Sequence, residues 1–271
     1  MVPQNPKAVI VGISSDIGMA VANRWLEQGV TLLGSARHPA EVLAKVSIEP
    51  ESLIPCDFSD LGSIEAFISH IENRQFYWNR LVICPGTMEP IGRFDTIDFD
   101  EWERGFRINF LSTLRVIRGL LPLRQLSDRP PTVILFAGGG VNSAPKNFSA
   151  YTSSKIGLIK MIELLAEEIA DTRFTILGPG WVDTKIHLQT LAAERSAAQA
   201  AAETRRRIES KDFVPIRRVV DCIEWVLSEN AEIVSGRNFS VANDGWDVPS
   251  LRNKLMQNPQ AYKLRRHNND N

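Results

Sequence analysis

Seven short apolar runs, at residues 8–12, 31–36, 52–55, 80–84, 132–137, 173–177 and 238–242, punctuate the chain. Between most of them lie stretches with helical spacing of apolar residues, at 17–28, 40–46, 60–74, 98–121, 149–170 and 217–228. Most runs are apolar at successive positions rather than at alternate ones, the pattern of strands buried on both faces. Strands of that kind, joined by helices, pair in parallel through crossovers. The expected architecture is α/β: a doubly wound parallel sheet of about seven strands with helices on both faces, in three layers.

Two segments stand outside the alternation. Residues 186–213 are rich in Ala, Arg and Glu and are expected to form a helical insertion between the sixth and seventh strands, with Glu203 and Arg207 in a favourable i,i+4 order. Residues 246–271 are expected to be a basic extension to a single domain spanning 1–245, since no Gly/Ser linker divides the chain. The charge is divided in the same way. Residues 247–271 hold five basic residues against two acidic ones, a net +3 within a whole-chain charge of −1, so the remainder carries −4. Near-neutral charge excludes nucleic acid as the main partner. No run of about 18 apolar residues is present to span a bilayer, and the first residues lack the long apolar stretch of a secretory leader. Three widely spaced cysteines (Cys56, Cys84, Cys222) do not make a disulfide framework, and the expected compartment is the cytoplasm. The four histidines (His38, His70, His187, His267) lack zinc-ligand spacing, so no metal site is expected.

Three places carry chemistry. The first run ends in Gly12-Ile13-Ser14-Ser15-Asp16-Ile17-Gly18 and passes into a helix. Glycines at a strand-to-helix turn admit a pyrophosphate to the free N–H groups of the helix start. The second run ends in Arg37, where an acid would favour the ribose of NAD and a cation favours the extra phosphate of NADP. Tyr151 and Lys155, four residues apart, fall on one helix face, where an ammonium would lower the phenol pKa and make it a proton donor or acceptor. Each feature alone also has a structural use, as a tight turn, a solvated cation or a helix-surface pair.

Taken together, Gly12 and Gly18 after the first run, Asn109 on the fourth helix, Tyr151/Lys155 after the fifth run and Pro179-Gly180-Trp181-Val182-Asp183-Thr184 after the sixth resemble the short-chain dehydrogenase/reductase family over about residues 7–245. The resemblance implies a Rossmann-like fold and an NAD(P)(H)-dependent oxidoreductase that interconverts a carbonyl and an alcohol. It implies that Gly12, Ser14, Ser15, Ile17 and Gly18 form the cofactor turn. Arg37 would meet the adenosine phosphate, Asp57 and Phe58 the adenine, and Gly86 would follow the fourth strand. Gly180, Val182 and Thr184 would hold the nicotinamide carboxamide. Tyr151 would be the acid/base, Lys155 would hold the ribose and depress the tyrosine pKa, and Asn109 would anchor a water in the proton relay. The family's small-molecule carbonyl/alcohol substrates and its homodimers or homotetramers, built through the helices at 98–121 and 149–170, are expected too.

The chain departs from the family pattern at four points. Asp16 replaces the second turn glycine, Ser15 replaces a basic residue frequent with NADP, and Ile83-Cys84-Pro85-Gly86 keeps only the glycine of its segment. The fourth departure is Gly138, which stands where the family has its catalytic serine. Backbone N–H groups of Gly139 or Gly140 can replace that hydroxyl, the side chain of Asn142 or Ser143 can swing in, or the chemistry is weakened or altered; the first is favoured. Lys185, His187, Gln189 and Arg205–Arg207, with the basic tail, point to an anionic, phosphate-bearing substrate such as a nucleotide-linked sugar. Epimerisation or dehydration with a retained cofactor, and a non-catalytic NAD(P) sensor, are the alternatives.

Overall fold

The computed structural model describes residues 5–266. Residues 1–4 and 267–271, which include His267 and the end of the expected extension, lie outside the described residues. The strands are β1 (Lys7–Val11), β2 (Thr31–Ala36), β3 (Leu53–Pro55), β4 (Arg80–Ile83), β5 (Thr132–Phe136), β6 (Arg173–Gly178) and β7 (Arg237–Ser240). They pair in parallel in the order β3-β2-β1-β4-β5-β6-β7. The helices are α1 (Asp16–Glu27), α2 (Pro39–Leu43), α3 (Leu61–Asn73), α4 (Phe99–Phe106), α5 (Ser112–Leu120), α6 (Ser149–Glu168), α7 (His187–Ala192), α8 (Ala198–Ser210), α9 (Ile216–Ser228), α10 (Ala231–Val234) and α11 (Pro249–Gln257).

Successive strand residues serve opposite layers. Ala8, Ile10, Val82 and Ile134 pack against Val21 and Trp25 of α1 and Val219, Ile223 and Val226 of α9. Val9, Val11, Leu81 and Val133 pack against Phe67 of α3, Ile117 of α5 and Ile162 of α6. Both sets are fully or almost fully buried, which is why the runs read as continuous rather than alternating. Chain direction along the sheet reverses between β1 and β4, so a crevice opens at their carboxyl ends.

Two helical expectations are revised. The stretch 98–121 is not one helix: α4 and α5 are joined by a π turn at Arg107–Leu111, a one-residue expansion that helical periodicity does not reveal. The insertion is two helices, α7 and α8, and the expected Glu203–Arg207 pair forms at 2.8 Å.

The extension packs against the body. Arg237, 3% exposed, donates to the carbonyls of Leu255 and Ala261 at 3.1 and 2.8 Å, so the chain after β7 wraps around its guanidinium. The Tyr262 carbonyl accepts from Asn238 N at 2.8 Å and covers the outer edge of β7. Arg265 meets Glu163 at 2.5 Å, Lys263 meets Glu167 at 3.7 Å, and Arg252 meets Glu229 at 3.5 Å. The basic tail thus answers acids of the body.

Hydrogen bonds from Arg265, opposed by burial and aided by Lys160, hold the Glu163 carboxyl down at about 2. A depressed carboxylate pKa contributes stability above the unfolded value, near 4.5, and loses it as pH falls toward 2. Glu163→Gln is expected to lower stability at pH 7 by about 1–2 kcal/mol, discounted for the partly exposed Arg265. Denaturant titrations should show that deficit closing as pH falls from 4.5 toward 2; a deficit independent of pH would assign Glu163 to packing alone.

Candidate active site

The crevice is a cleft of about 1040 Å³, at the upper end of small-molecule sites, which run to about 1,000 Å³. Its first wall is the turn after β1. Gly12 adopts φ +73°, and a Cβ there would sit 2.9 Å from the Pro85 ring, so the turn and the β4 loop meet only across a glycine. Ser15 caps α1, its hydroxyl accepting from Gly18 N at 3.0 Å. Gly18 does not line the cleft; it lets α1 close on the Gly12 carbonyl, 2.6 Å from where its Cβ would be.

At the end of β2, Arg37 is exposed and lines the cleft near Asp57. Burial would raise the Asp57 carboxyl, but the Ser59 N–H and hydroxyl, both at 2.8 Å, and the guanidiniums of Arg37 and Arg104 hold it below its ordinary value. Phe58 lines the same end. Arg104 of α4 is a second cation there that the sequence motifs did not single out. Only the fold brings it opposite β2.

At the other end, α6 brings Tyr151 and Lys155 into the cleft together. The Lys155 ammonium lies 5.9 Å from the Tyr151 ring centroid and donates to the Phe136 carbonyl at 3.0 Å. The expected lowering of the phenol is not found: burial pushes Tyr151 up to about 12 and Lys155 down to about 8. The ammonium is engaged by a main-chain oxygen, and both groups are desolvated. A Cβ on Gly138 would lie 2.7 Å from the Tyr151 hydroxyl, so the phenol rests on the bare backbone. Gly139, Gly140, Asn142 and Ser143 line the cleft beside it.

Asn109 is fully buried and does not line the cleft; its amide donates to the Thr87 carbonyl at 2.8 Å and accepts from Thr87 N at 2.9 Å. Both ends of the side chain help to fix the peptide beside Gly86. The π turn carries this residue. Gly180, Val182 and Thr184 line the cleft after β6. Lys185, expected on the substrate side, crosses to the first turn instead: its N–H donates to Asp16 Oδ2 and its ammonium to the Ser14 carbonyl, each at 2.9 Å.

In the sequence His187 reads as a polar contact and no more. It is buried, stacks on Trp181 with centroids 3.9 Å apart, and shares a hydrogen bond with the Val182 carbonyl at 2.9 Å. Burial lowers its pKa, so it is neutral, with the Nε2 proton on that carbonyl. Gln189 Oε1 accepts from Met88 N at 2.7 Å and ties α7 across the cleft.

The cations expected to bind an anion are engaged elsewhere. Arg205 pairs with Glu194, and Arg206 and Arg207 pair with Glu203 and Asp212. None of the residues 246–266 lines the cleft. Its cation-bearing residues are Arg37, Arg104, Lys155 and Lys185, and Asp16, Asp57, Glu89 and Glu203 bring carboxylates to it.

A family model described as enoyl-(acyl carrier protein) reductase matches residues 12–245. A short-chain dehydrogenase/reductase of Penicillium canescens, olcF, is 28% identical over 66% of this chain and 69% of its own. The D-beta-hydroxybutyrate dehydrogenase of Rhizobium meliloti is 20% identical over 88% of this chain and 97% of its own. Among solved structures, the KRED1-Pglu enzyme superposes with a TM-score of 0.76 at 23% identity, covering 86% of this chain and all of that one. An actinorhodin polyketide ketoreductase crystallised with NADPH gives 0.74 at 20% identity, covering 88% and 95%. With the seven-stranded parallel sheet and the tyrosine–lysine pair in its crevice, these matches establish that the chain belongs to the short-chain dehydrogenase/reductase family of NAD(P)-dependent oxidoreductases.

Proposed function

We propose that this protein reduces a neutral, largely apolar ketone or aldehyde, or oxidises the matching alcohol, with NADP(H) in preference to NAD(H). The observation that carries the reading is the arrival of Tyr151 and Lys155 in one cleft, with the phenol against the backbone of Gly138. The residues fit the cofactor. Gly12, Ser14, Ser15 and Ile17 offer the turn for a pyrophosphate, with Gly18 allowing its close packing. Arg37, Asp57 and Phe58 face the adenosine end, and Gly86, Gly180, Val182 and Thr184 the nicotinamide end. Arg37 makes no ion pair among the described residues and lines the cleft where a 2′-phosphate would lie, which supports NADP(H).

The bound nicotinamide supplies or takes up hydride. Tyr151 exchanges the proton with the substrate oxygen; held near 12 by burial, it is protonated at neutral pH, the form that carbonyl reduction requires. Lys155 is assigned to the nicotinamide ribose and Asn109 to positioning of the Thr87 peptide. The N–H groups of Gly139 and Gly140 make no hydrogen bond among the described residues, and we assign to them the second contact to the substrate oxygen. Met88, Val141, Phe148 and Ile186 give the substrate side its apolar character.

Copies of the chain are proposed to associate through α4, α5 and α6. Phe94, Phe99, Leu111 and Leu164 are 43–62% exposed there, and Phe99, Trp102 and Phe106 stack in a ladder beside them. The second reading, a retained cofactor used for epimerisation or dehydration, draws support from one observation. The two hydrogen bonds between Lys185 and the Ser14–Asp16 turn clasp the loop after β6 to the pyrophosphate turn, across the path of exchange.

Four outcomes are expected. Tyr151→Phe should lower kcat by about 10²–10⁴ while NADPH binding by fluorescence is retained, and Gly138→Ala, which adds only the Cβ that meets the phenol, should lower kcat about tenfold. A gain of activity in Gly138→Ser would show that a side-chain hydroxyl is missing and defeat the backbone-donor assignment. Arg37→Asp should weaken NADPH about tenfold or more with NADH nearly unchanged; equal losses for both cofactors would remove the NADP(H) preference. Asp16→Gly should speed NADPH release in stopped flow about tenfold, the loss of roughly one hydrogen bond to a charged group. Release at the wild-type rate would mean that the clasp does not gate exchange.

A further inference from the structure

At the opposite end of the sheet from the cleft, Arg80, Thr132 and Arg173 form one register row. Arg80 pairs with Thr132 across β4–β5, and Thr132 with Arg173 across β5–β6. Register partners on parallel strands project to the same face, so the side chains of Arg80 and Arg173 leave the sheet on either side of that of Thr132, with Cα atoms about 10 Å apart. That face is the one covered by α1 and α9: the Arg80 guanidinium lies 5.2 Å from the Trp25 ring centroid, and Arg173 Nη1 donates to the Glu229 carbonyl at 2.5 Å and the Val226 carbonyl at 3.4 Å.

Each residue of the row leaves one buried polar atom without a partner among the described residues. These are Arg80 Nη1, Thr132 Oγ1 and Arg173 Nε. Thr132 is 0% exposed and Arg173 3%, while Arg80 is half-buried and opens the row to solvent. Buried donors are almost always satisfied, and each exception needs a reason. The charge balance is equally incomplete. Arg129, which donates to the Ser228 carbonyl at 3.3 Å, adds a third guanidinium. Of the acids on this side, Glu224 accepts the Trp25 indole N–H at 2.6 Å and faces Arg80. Glu229 meets Arg252 at 3.5 Å, with Oε2 otherwise unpartnered. Burial first, and then Arg129 and Arg80, push Arg173 down to about 10; no acid opposes them. A buried charge with like-charged neighbours and no counter-ion is expensive unless something neutralises it.

We propose that the Arg80–Thr132–Arg173 row is a binding site for a small inorganic anion of halide size. The anion accepts from Arg80 Nη1, Arg173 Nε and the Thr132 hydroxyl and supplies the counter-charge that this wall lacks. It ties the amino ends of β4, β5 and β6 to the last turn of α9, so its effect is on stability rather than on turnover. The site belongs to the fold and is independent of the reaction assigned to the cleft.

Thermal unfolding of the full chain in sodium chloride, against sodium methanesulfonate at equal ionic strength, tests this. Chloride should raise the midpoint by roughly 3 °C per tenfold increase above its Kd, and methanesulfonate should not. Thr132→Val keeps the volume and removes the hydroxyl, and Arg80→Met removes one guanidinium without touching the α9 carbonyls; both should lose most of the chloride increment. Crystals grown in bromide should give an anomalous peak between Arg80 and Arg173. The proposal is overturned by equal midpoints in the two salts, by an undiminished chloride increment in both variants, or by density at the row without anomalous signal, which would make it an ordered water.

Discussion

A parallel sheet covered on both faces has no polar surface of its own, and this one constraint decides where everything else lies. Apolar side chains of β1, β4 and β5 go alternately to the α1–α9 layer and the α3–α5–α6 layer. Groups that must meet water or a ligand are therefore confined to the two rims where the strands end. At the carboxyl rim the loops gather Gly12, Arg37, Asp57, Gly86, Gly138 and Gly180 around one cleft. At the amino rim the strands begin with Arg80, Arg173 and Arg237, long side chains that reach back over the sheet edge to main-chain carbonyls or remain short of a partner. The two rims differ because helix starts point at the first and helix ends at the second.

The seven strands were legible because a run buried on both faces leaves an unbroken apolar word in the sequence, and the observed strands keep to those runs within a residue or two. The tyrosine–lysine pair was legible because helical spacing alone puts residues four apart on one face. What the sequence concealed depends on where side chains go once the chain is closed. Lys185 looked like a substrate contact, but a loop of that length brings it back to Ser14 and Asp16, 171 and 169 residues away. Asn109 occupies the expected position on its helix, yet both ends of its amide are consumed by Thr87, which no one-dimensional pattern records.

Charge was the least legible quantity. A +3 tail on a −4 body invited an anionic ligand, and a cluster of three consecutive arginines reinforced it. In the fold the nearest carboxylates reach those cations first. Arg205–Arg207 have Glu194, Glu203 and Asp212 within reach on the same insertion, and Arg265 has Glu163 on α6. A surface cation is cheap to satisfy locally, so its presence in sequence says little about a ligand. Arg173, inconspicuous in sequence at the start of its run, is the more telling cation because no acid among the described residues offsets its neighbouring guanidiniums.

Where the family resemblance leads one to expect a serine, the glycine at position 138 would change geometry as well as remove a hydroxyl. The space that a Cβ would occupy holds the end of the Tyr151 ring, so the phenol lies closer to the backbone than a side chain there would allow. Packing against the backbone strips water from the hydroxyl, which is the cause of its upward displacement to about 12. A phenol of that kind holds its proton at neutral pH, the form from which carbonyl reduction starts, but it is a weaker acid than an ordinary tyrosine. The N–H groups of the following glycines can neither ionise nor rotate away, so a substrate oxygen would find its second contact fixed in place before it arrives. On the reading proposed for this cleft, Gly138 leaves Tyr151 protonated against bare backbone and the main chain to supply the second polar contact.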